Sequence, residues 1–505
     1  MKKQESGRRF SFFFAYPQAV AAGLLACHAT AALWIWSSNR ALLAKVQLLS
    51  SQGFTVVPNE AMWPLLGSFW LALKSAFFFT LSIGAGLSLF FGFWAWLVLG
   101  KNPGRFGVVR AVVYAIPAVF LVIALNLRGF VPYPSLIVLC IASAVAAVSL
   151  WRARRSPLKL TWLTGLLFVA PIVVSAVLWM LIASSLGKHI FDNLRDDVLL
   201  QSKVGVTVND LYYRYTLYAA EPFKTLGQKQ EKTAVLSDSI QENVKASLTR
   251  ALATADYVVL KAQGPADLVL ALNGQELSFI HNGETKVTMP LREFVQRPLP
   301  SVGKFHDALD RYPVFRLLTL TCLVLGFPLL WYYYLYGAFC FALTRFLNQK
   351  AAMVLAGVLC LVMNLGLWFP LERSVKEMKN TGDPKVLMAS ENPSERIAGL
   401  RNAIQMHEDV CGLPAFQKLL NEGNIAERRW AVKALGSLPC ADATTMLTNL
   451  LADSNPNVVC LAMHSLKARG ESGLQENILS LLKTSPHWYV QWYAYQTAKG
   501  MGWNQ

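Results

Sequence analysis

The chain has 505 residues, of which 54% are hydrophobic and 15% charged, and its formal net charge is +17. Residues 1–187 and 313–371 carry 18 Lys and Arg against only Glu5 and Glu60, whereas residues 188–312 and 372–505 are nearly balanced. A soluble nucleic-acid-binding protein would carry its positive charge on a polar surface, so this distribution argues against that class. The cations instead flank long apolar runs, as they do in membrane proteins.

A helix needs about 20 mostly apolar residues to cross a bilayer. Seven stretches meet this requirement and predict a polytopic α-helical membrane protein: 17–36, 75–99, 107–127, 134–151, 160–187, 317–343 and 351–371. Trp34 and Trp36 follow the first stretch where a signal peptide would have small residues, so we interpret this stretch as a retained anchor. The run 62–99 is interpreted as an interfacial segment leading into one crossing, because two crossings would each be too short.

The loops between these stretches differ in charge. With the N-terminus in the cytoplasm, the inner loops hold most of the cations: Lys2, Lys3, Arg8, Arg9, Lys101, Arg105, Arg110, Arg152, Arg154, Arg155, Lys159, Arg345 and Lys350. The outer loops hold only Arg40, Lys45 and Arg128. The positive-inside rule then places residues 188–312 and the C-terminal region outside the cytoplasm, a topology that suits a bacterial inner membrane and its periplasm.

Small residues within the spans predict close helix packing. Gly84, Ser88 and Gly92 fall on one helix face at four-residue spacing. His28 has two readings, a hydrogen bond to a neighbouring helix or ligation of a haem or quinone, and the first is favoured for a lone histidine. Charged residues are nearly absent from the spans, which disfavours an ion-coupled pump.

Residues 188–312 predict an inserted extracytoplasmic α+β domain. Helices are expected over 209–224 and, after a capping box formed by Ser239 and Glu242, up to about Ala255. Apolar residues alternate around Asn273-Gly274 and Asn282-Gly283, which predicts hairpins because both central residues of a type I′ turn need φ > 0. The expected sheet is a meander of three or four strands.

Two features of this domain each leave two readings. Its tyrosines fit packing at the membrane interface better than a ligand-binding cluster, since an apolar ring with a polar tip is favoured there. They are Tyr212, Tyr213, Tyr215 and Tyr218. The sequence Arg195-Asp196-Asp197 fits either a cation or substrate site or a solvated helix start.

The C-terminal region repeats with a period of 31 residues, which brings Ala403, Ala434 and Ser465 into register. Each unit predicts a helical hairpin. Prolines stand near the starts of first helices, where a missing N–H costs nothing, and glycines near their ends, where φ > 0 is wanted. These residues are Pro393, Pro456, Pro486, Gly436 and Gly470.

This pattern resembles the short HEAT-like repeats, including the type named after phycobilisome lyases, over roughly residues 390–500. The resemblance implies an α-solenoid over 390–505, preceded by a linker at 372–389, whose concave face docks a partner protein. It does not imply lyase chemistry. The last unit is aromatic rather than polar, so it is expected to meet the membrane or another subunit through a candidate partner surface of Trp488, Trp492 and Tyr493.

Cys411 and Cys440 fall in loops of consecutive repeats, and an extracytoplasmic location would permit a disulfide between them. Five further cysteines lie in or beside the spans and are expected only to pack there: Cys27, Cys140, Cys322, Cys340 and Cys360. Metal, nucleotide, hydrolase and cytochrome motifs such as Cys-x-x-Cys, His-Glu-x-x-His and Gly-x-Ser-x-Gly do not occur. We therefore predict no catalytic residues, no metal ligands and no cofactor.

Two classes of function remain. The favoured one is a noncatalytic scaffold or assembly subunit of a cell-envelope complex, which binds the lipid bilayer and docks membrane or periplasmic proteins through its repeats. The other is a transporter or lipid-handling protein, whose uncharged bundle would pass an apolar substrate under the control of its outer domains. A nucleic-acid partner is not expected in either case.

Overall fold

The computed structural model describes residues 11–99, 107–153, 169–177, 180–181, 194–200, 202–260, 266–378, 382–470 and 472–503. The chain divides into two compact units. The repeat unit comprises Met1–Pro17, Ser156–Tyr215 and Phe327–Trp503, and the sheet unit comprises Gln18–Arg155, Thr216–Gly326 and Asn504–Gln505. Each unit is described separately below.

Six helical runs in the described part of the chain are long and apolar enough to cross a membrane by length and composition. They are Pro17–Ser51, Phe69–Leu99, Gly107–Leu125, Pro132–Trp151, Pro313–Leu343 and Gln349–Gly366. These runs coincide with six of the seven predicted spans. The remaining prediction, 160–187, lies largely outside the described residues, although 169–177 within it is helical.

The N-terminal helices of the sheet unit are α1 (Ser11–Ser51), α2 (Trp63–Leu66), α3 (Phe69–Ser75), α4 (Phe77–Phe79), α5 (Ala85–Leu99), α6 (Gly107–Leu125) and α7 (Pro132–Ala153). A π-helical turn, Thr80–Gly84, joins α4 to α5. The residues from α3 to α5 thus form one helical run, in agreement with the single run expected there. α5 packs against α6 and α7.

The predicted packing residues of this run lie against α1. A Cβ atom built on Gly84 would lie 3.0 Å from Cys27 Sγ, and one built on Gly23 would lie 2.5 Å from Ser88 Oγ. Gly92 is also buried. The small residues therefore allow α1 and α5 to approach closely within one unit, which is the kind of contact that small residues favour between apolar helices.

The sheet has five strands in the order β2-β1-β3-β4-β5. They are β1 (Lys232–Leu236), β2 (Tyr257–Val259), β3 (Leu268–Asn273), β4 (Glu276–His281) and β5 (Glu284–Pro290). β1 is parallel to β2 and β3, whereas β3, β4 and β5 form an antiparallel meander. The meander was predicted but β1 was not, because its central position is fixed by parallel partners that are distant in sequence.

Helix α8 (Lys203–Ala220) precedes the sheet, and α9 (Glu242–Thr254), α10 (Leu291–Gln296) and α11 (Pro298–Leu309) pack with it. The core of the sheet unit contains Leu248, Leu270, Phe279, Phe294 and Phe305, all fully buried. The predicted Ser239–Glu242 capping box is wrong. Gln241 occupies the N-cap position of α9 without a capping hydrogen bond from its side chain, and Ser239 Oγ instead accepts a hydrogen bond from the Leu272 amide.

The two hairpin turns differ. In the second turn both Asn282 and Gly283 have positive φ, as predicted for type I′. In the first, Asn273 still pairs with Glu276, so the central residues are Gly274 and Gln275 rather than Asn273 and Gly274. Gly274 alone has positive φ there, which is the type II′ pattern.

α12 (Pro313–Thr321) lies in the sheet unit. In the described part of the chain, the repeat unit contains the first part of α8, up to Tyr215, and ten later helices. They are α13 (Phe327–Leu343), α14 (Gln349–Met378), α15 (Pro384–Met388), α16 (Pro393–Met406), α17 (Pro414–Glu422), α18 (Ile425–Ser437), α19 (Ala443–Asn449), α20 (Pro456–Ala468), α21 (Gln475–Thr484) and α22 (Trp488–Gly500). The region 372–389, predicted as a linker, is helical at both ends, since α14 continues to Met378 and α15 packs on α16.

The repeats are helical hairpins, as predicted. First helices are α16, α18, α20 and α22, and second helices are α17, α19 and α21. Pro393 and Pro456 begin their helices, and Gly470 has the expected positive φ. Gly436 lies near the end of its helix as predicted, one residue before the last residue of α18, but its φ is not positive and it allows a close helix contact instead.

Candidate partner-binding site

The first helices of the repeats form a closely packed layer. Ala403, Ala434 and Ser465, the residues predicted to be in register, are all buried in this layer. A Cβ atom on Gly436 would lie only 2.5 Å from Ser465 Oγ, so glycine permits the approach of α18 and α20. The second helices pack chiefly on first helices rather than on one another.

Ion pairs join consecutive repeats. Arg396 Nη2 lies 2.5 Å from Glu427 Oε1, and Arg428 Nη1 lies 2.6 Å from Asp453 Oδ2. The two carboxylates are almost fully buried, so each pair is shielded from solvent. Arg469 makes a third connection by donating to the backbone oxygens of Leu435 and Leu438. A buried charge must be paired, and the pairing fixes the register of one repeat on the next.

Residues 194–200 of the same chain dock on this layer. Asp196 is 2% exposed and accepts hydrogen bonds from Arg195 Nε at 2.8 Å, from Trp430 Nε1 at 3.0 Å and from Arg429. Leu200 packs beside it in a buried cluster with Ile397 and Ala426. Arg195-Asp196-Asp197 was interpreted either as a cation or substrate site or as a solvated helix start. Neither interpretation is correct for Asp196, which is buried and binds residues of the HEAT repeats.

Helix α8 continues along the same side and covers the aromatic last repeat. The rings of Tyr213 and Tyr489 have centroids 4.5 Å apart, and Tyr489 is 4.9 Å from Tyr493. Burial and the neighbouring tyrosines Tyr493 and Tyr213 raise the pKa of Tyr489. The last repeat was expected to meet the membrane or another subunit, but a helix of the same chain covers it in part.

The predicted partner surface is changed by this packing. Trp488 is 4% exposed and belongs to the interior of the repeats, so it cannot contribute to a surface. Trp492 and Tyr493 are half-buried, and their rings meet edge to face with centroids 5.0 Å apart. The sequence could not show which aromatic residues of this helix point inward.

An open groove of about 510 Å³ remains between α8 and the third and fourth repeats. Its polar lining includes Asp210, Arg214, Asp453, Asn455, Ser485 and His487, and its apolar lining includes Leu481, Pro486 and Val490. His487 Nδ1 is buried and has no hydrogen-bond partner in the described part of the chain. Burial and the nearby charge of Arg214 lower the pKa of His487, which therefore favours the neutral imidazole. The groove can thus offer hydrogen bonds and apolar contacts to an inserted segment.

Residues 413–499 match the family model of HEAT repeats. The C-terminal region therefore contains HEAT repeats, as the sequence resemblance indicated, and HEAT repeats generally mediate contacts between proteins. No curated protein and no solved structure matches the chain.

Cys411 and Cys440 lie together in the loops that follow the first helices of two HEAT repeats. Their Cα atoms are 5.8 Å apart, inside the range that a disulfide requires, and their sulfurs are bonded. Asp409 lies beside them, where its Oδ1 accepts a hydrogen bond from the Cys411 amide at 3.0 Å. The hydrogen bond between Asp409 and the Cys411 amide forms a local turn, which explains why the Asp409 carboxylate lies near the two sulfurs.

His28, the histidine within a predicted span, hydrogen-bonds to a neighbouring helix. Its Nδ1 lies 2.9 Å from Thr80 Oγ1, and its ring contacts Phe77 edge-on. This geometry agrees with the favoured reading of a structural histidine.

The sequence analysis did not identify the residues that cap the first helices of the HEAT repeats. Asn392, Asn424 and Asn455 cap three successive first helices, at nearly the period of the repeat. Each side chain accepts a hydrogen bond from a backbone amide of the first turn. Their recurrence is a signal that could have found the helix starts before any proline was considered.

A second missed cluster holds α1 to β1 in the sheet unit. Lys45 Nζ lies 2.5 Å from Asp267 Oδ2, which also accepts from the Thr233 amide at 2.8 Å. Glu231, 5% exposed, accepts from the Val57 amide at 2.7 Å. Burial is the main reason that the pKa of Glu231 rises to about 7. Lys45, which was predicted to lie in an outer loop, therefore lies in α1 and belongs to a partly buried network.

Proposed function

We propose that the protein is a noncatalytic integral-membrane scaffold or assembly subunit of a cell-envelope complex. Its apolar helices anchor it in the bilayer, and its HEAT repeats dock partner proteins outside the cytoplasm. The observation that carries this proposal is the open groove between α8 and the third and fourth HEAT repeats, in a region whose family generally binds proteins.

The groove is a better docking site than the whole layer of first helices. Residues 194–206 already occupy that layer at the first two repeats through Asp196, Leu200 and Val206. A partner must therefore bind beyond the part of the layer that these residues occupy. The groove offers both a cation, Arg214, and a neutral imidazole, His487, beside apolar walls, which suits a short protein segment with polar and apolar side chains.

Site-directed photo-crosslinking of the full chain in its native membranes tests the proposal. A photoreactive amino acid replaces Thr484, which is exposed and lines the groove, and the control replaces Lys418, which is exposed on the second helix α17. We expect a protein adduct of defined mass at position 484 and little adduct at 418. Adducts with lipid alone at 484 would contradict protein docking and favour the transporter alternative.

A pair of charge variants gives the matched control. Arg214 lines the groove, whereas Lys203 is exposed on the same helix but does not line it. Arg214→Ala should reduce the protein adduct about tenfold, since a charge-assisted hydrogen bond contributes about 1.5–3 kcal/mol. Lys203→Ala removes the same charge and should leave the adduct unchanged. Equal losses in both variants would show that net charge, not the groove, governs binding.

A further inference from the structure

Within the repeat unit, helix α8 has three distinct sides. One side carries Gly205, Asn209 and Tyr213 at four-residue spacing: Gly205 and Asn209 are buried, Gly205 lies against Leu199, and Tyr213 contacts Tyr489 of the last HEAT repeat. A second side is exposed and polar and carries Lys203, Thr207, Asp210 and Arg214. Residues spaced by three or four lie on one face of a helix, so these two sets occupy separate sectors.

The third side is apolar and exposed. Val204 is 75% exposed, and Val208 and Leu211 are each 50% exposed. Tyr212, 55% exposed, lies beside them at the next position of the same sector. The spacing i, i+4, i+7, i+8 is that of a buried helix face, yet here the face points away from the HEAT repeats.

The chain on either side of these residues places α8 near predicted membrane spans. The predicted span 160–187 precedes residues 194–200, which dock on the HEAT repeats and lead directly into α8. Helix α14, whose first part is a candidate span, also contacts residues 194–199 and packs on α16. Two segments that leave apolar runs therefore meet at the first HEAT repeat.

We propose that the apolar side of α8, formed by Val204, Val208, Leu211 and Tyr212, binds the lipid bilayer at its outer interface. This inference rests on the membrane anchoring in the proposed function. Lys203 and Arg214 border the apolar side and match the negative charge of lipid phosphates, and tyrosine is enriched at this depth. The adjacent side of the same helix then holds the HEAT repeats against the membrane surface.

Fluorescence quenching in vesicles of phosphatidylethanolamine and phosphatidylglycerol tests the orientation of α8. The full chain carries an environment-sensitive fluorophore on Val208→Cys, with Leu211→Cys as a second site on the same side. Thr207→Cys, one residue away on the polar side, is the matched control. Val119→Cys on the exposed face of α6 marks the bilayer core. The signal of the labelled parent chain is subtracted to remove its native cysteines.

We expect lipids spin-labelled near the headgroup to quench the fluorophore at 208 and at 211. Aqueous iodide should quench these sites at least about fivefold less than 207, since an interfacial helix buries its apolar face below the headgroups. Equal iodide quenching at 207 and 208 would overturn the inference. Protection of 208 from both quenchers would also overturn it, because a protein rather than lipid would then cover the helix.

The reference site separates this inference from the proposed function. If iodide reaches the fluorophore at 119, the membrane anchoring itself fails, and the inference fails with it. If lipid quenches 119 but iodide quenches 208 freely, the anchoring stands and only the lipid contact of α8 is refuted.

Discussion

Asp196 carries the attachment of residues 194–200 to the HEAT repeats. Its carboxylate is almost fully buried and accepts from Arg195, Arg429 and Trp430. Burying a carboxylate is costly unless several donors satisfy it, and here donors come from both sides of the contact. Asp196 therefore attaches the segment to the HEAT repeats through specific hydrogen bonds and does not lie at a solvated helix start.

The variant Asp196→Asn should reduce the free energy that attaches residues 194–200 to the HEAT repeats by about 2–4 kcal/mol, because Arg429 would be left buried without its counter-charge. Hydrogen–deuterium exchange of the peptide over 194–200 in the full chain measures the effect as faster opening. The control is Glu372→Gln, which breaks a more exposed pair with Lys376 and should cost less than about 1 kcal/mol. Unchanged exchange in Asp196→Asn would show that apolar packing alone holds the segment.

Glu231, the residue before β1, makes its contact with the loop that follows α1 sensitive to pH. Burial raises the pKa of its carboxyl to about 7, above the ordinary value of 4.5. Below pH 4.5 the carboxyl is neutral in the folded and unfolded states. Between pH 4.5 and about 7 the carboxyl ionises only in the unfolded state, so the free energy of unfolding falls as the pH rises. The total loss is about 3 kcal/mol, and the free energy does not fall further above this range.

The exchange of the Val57 amide, which donates to Glu231, measures this effect. The protection of this amide should fall between pH 5 and 8 in the parent chain relative to Glu231→Gln at each pH, because glutamine stays neutral and still accepts the hydrogen bond. Lys45, Glu221 and Asp267 also act on this carboxyl and are present in both chains. Parallel pH profiles would contradict a titrating Glu231.

At the scale of elements, the distance between first helices is set by side chains at single positions. α18 and α20 can approach because Gly436 leaves space for Ser465, whose Oγ also donates to the Val432 oxygen at 3.3 Å. Glycine inside a helix costs about 1 kcal/mol relative to alanine, so its presence indicates a packing requirement. The sequence correctly placed Gly436 near a helix end, but it attributed the glycine to a positive φ, which Gly436 does not have, rather than to this contact.

Gly436→Ala should destabilise the α18–α20 contact by about 1–3 kcal/mol, because the added Cβ has no room. Faster hydrogen–deuterium exchange in both helices is the measurement. Gly412→Ala, where the added Cβ meets nothing within 4 Å, should change exchange little. Adding Ser465→Gly to Gly436→Ala should restore part of the protection, and failure of this rescue would contradict a steric cause.

The loops after α16 and α18 are tied by Cys411 and Cys440, which are 29 residues apart in sequence. A bridge closing such a loop stabilises a fold by about 3 kcal/mol. Peptide mapping after thiols are blocked at lysis should yield the linked pair, whereas Cys460, whose burial raises the pKa of its thiol, should be alkylated only after denaturation. Alkylation of Cys411 and Cys440 without reductant would place the HEAT repeats in a reducing compartment.

At the scale of the whole molecule, the compartment of the HEAT repeats depends on the segment 160–187. If it crosses the bilayer, the predicted topology puts residues 188–312 and the repeats outside the cytoplasm; if it does not, both lie inside. An enzyme reporter active only outside should be inactive when fused after Arg155 and active after Ser202 and after Gln505. If the reporter were inactive at all three sites, residues 188–312 and the HEAT repeats would lie in the cytoplasm. The proposed docking of partners outside the cytoplasm would then be wrong.

The sequence by itself determined the apolar helical runs and the HEAT repeats, because both depend on regular spacing between residues close in the chain. It also marked Asn282-Gly283 as a turn and Cys411 with Cys440 as neighbours. Only the tertiary structure decided that Asp196 accepts a hydrogen bond from Trp430, that Tyr213 contacts Tyr489 and that β1 lies inside the sheet. These contacts join residues far apart in the chain, so their geometry depends on how the elements pack, which no local pattern encodes.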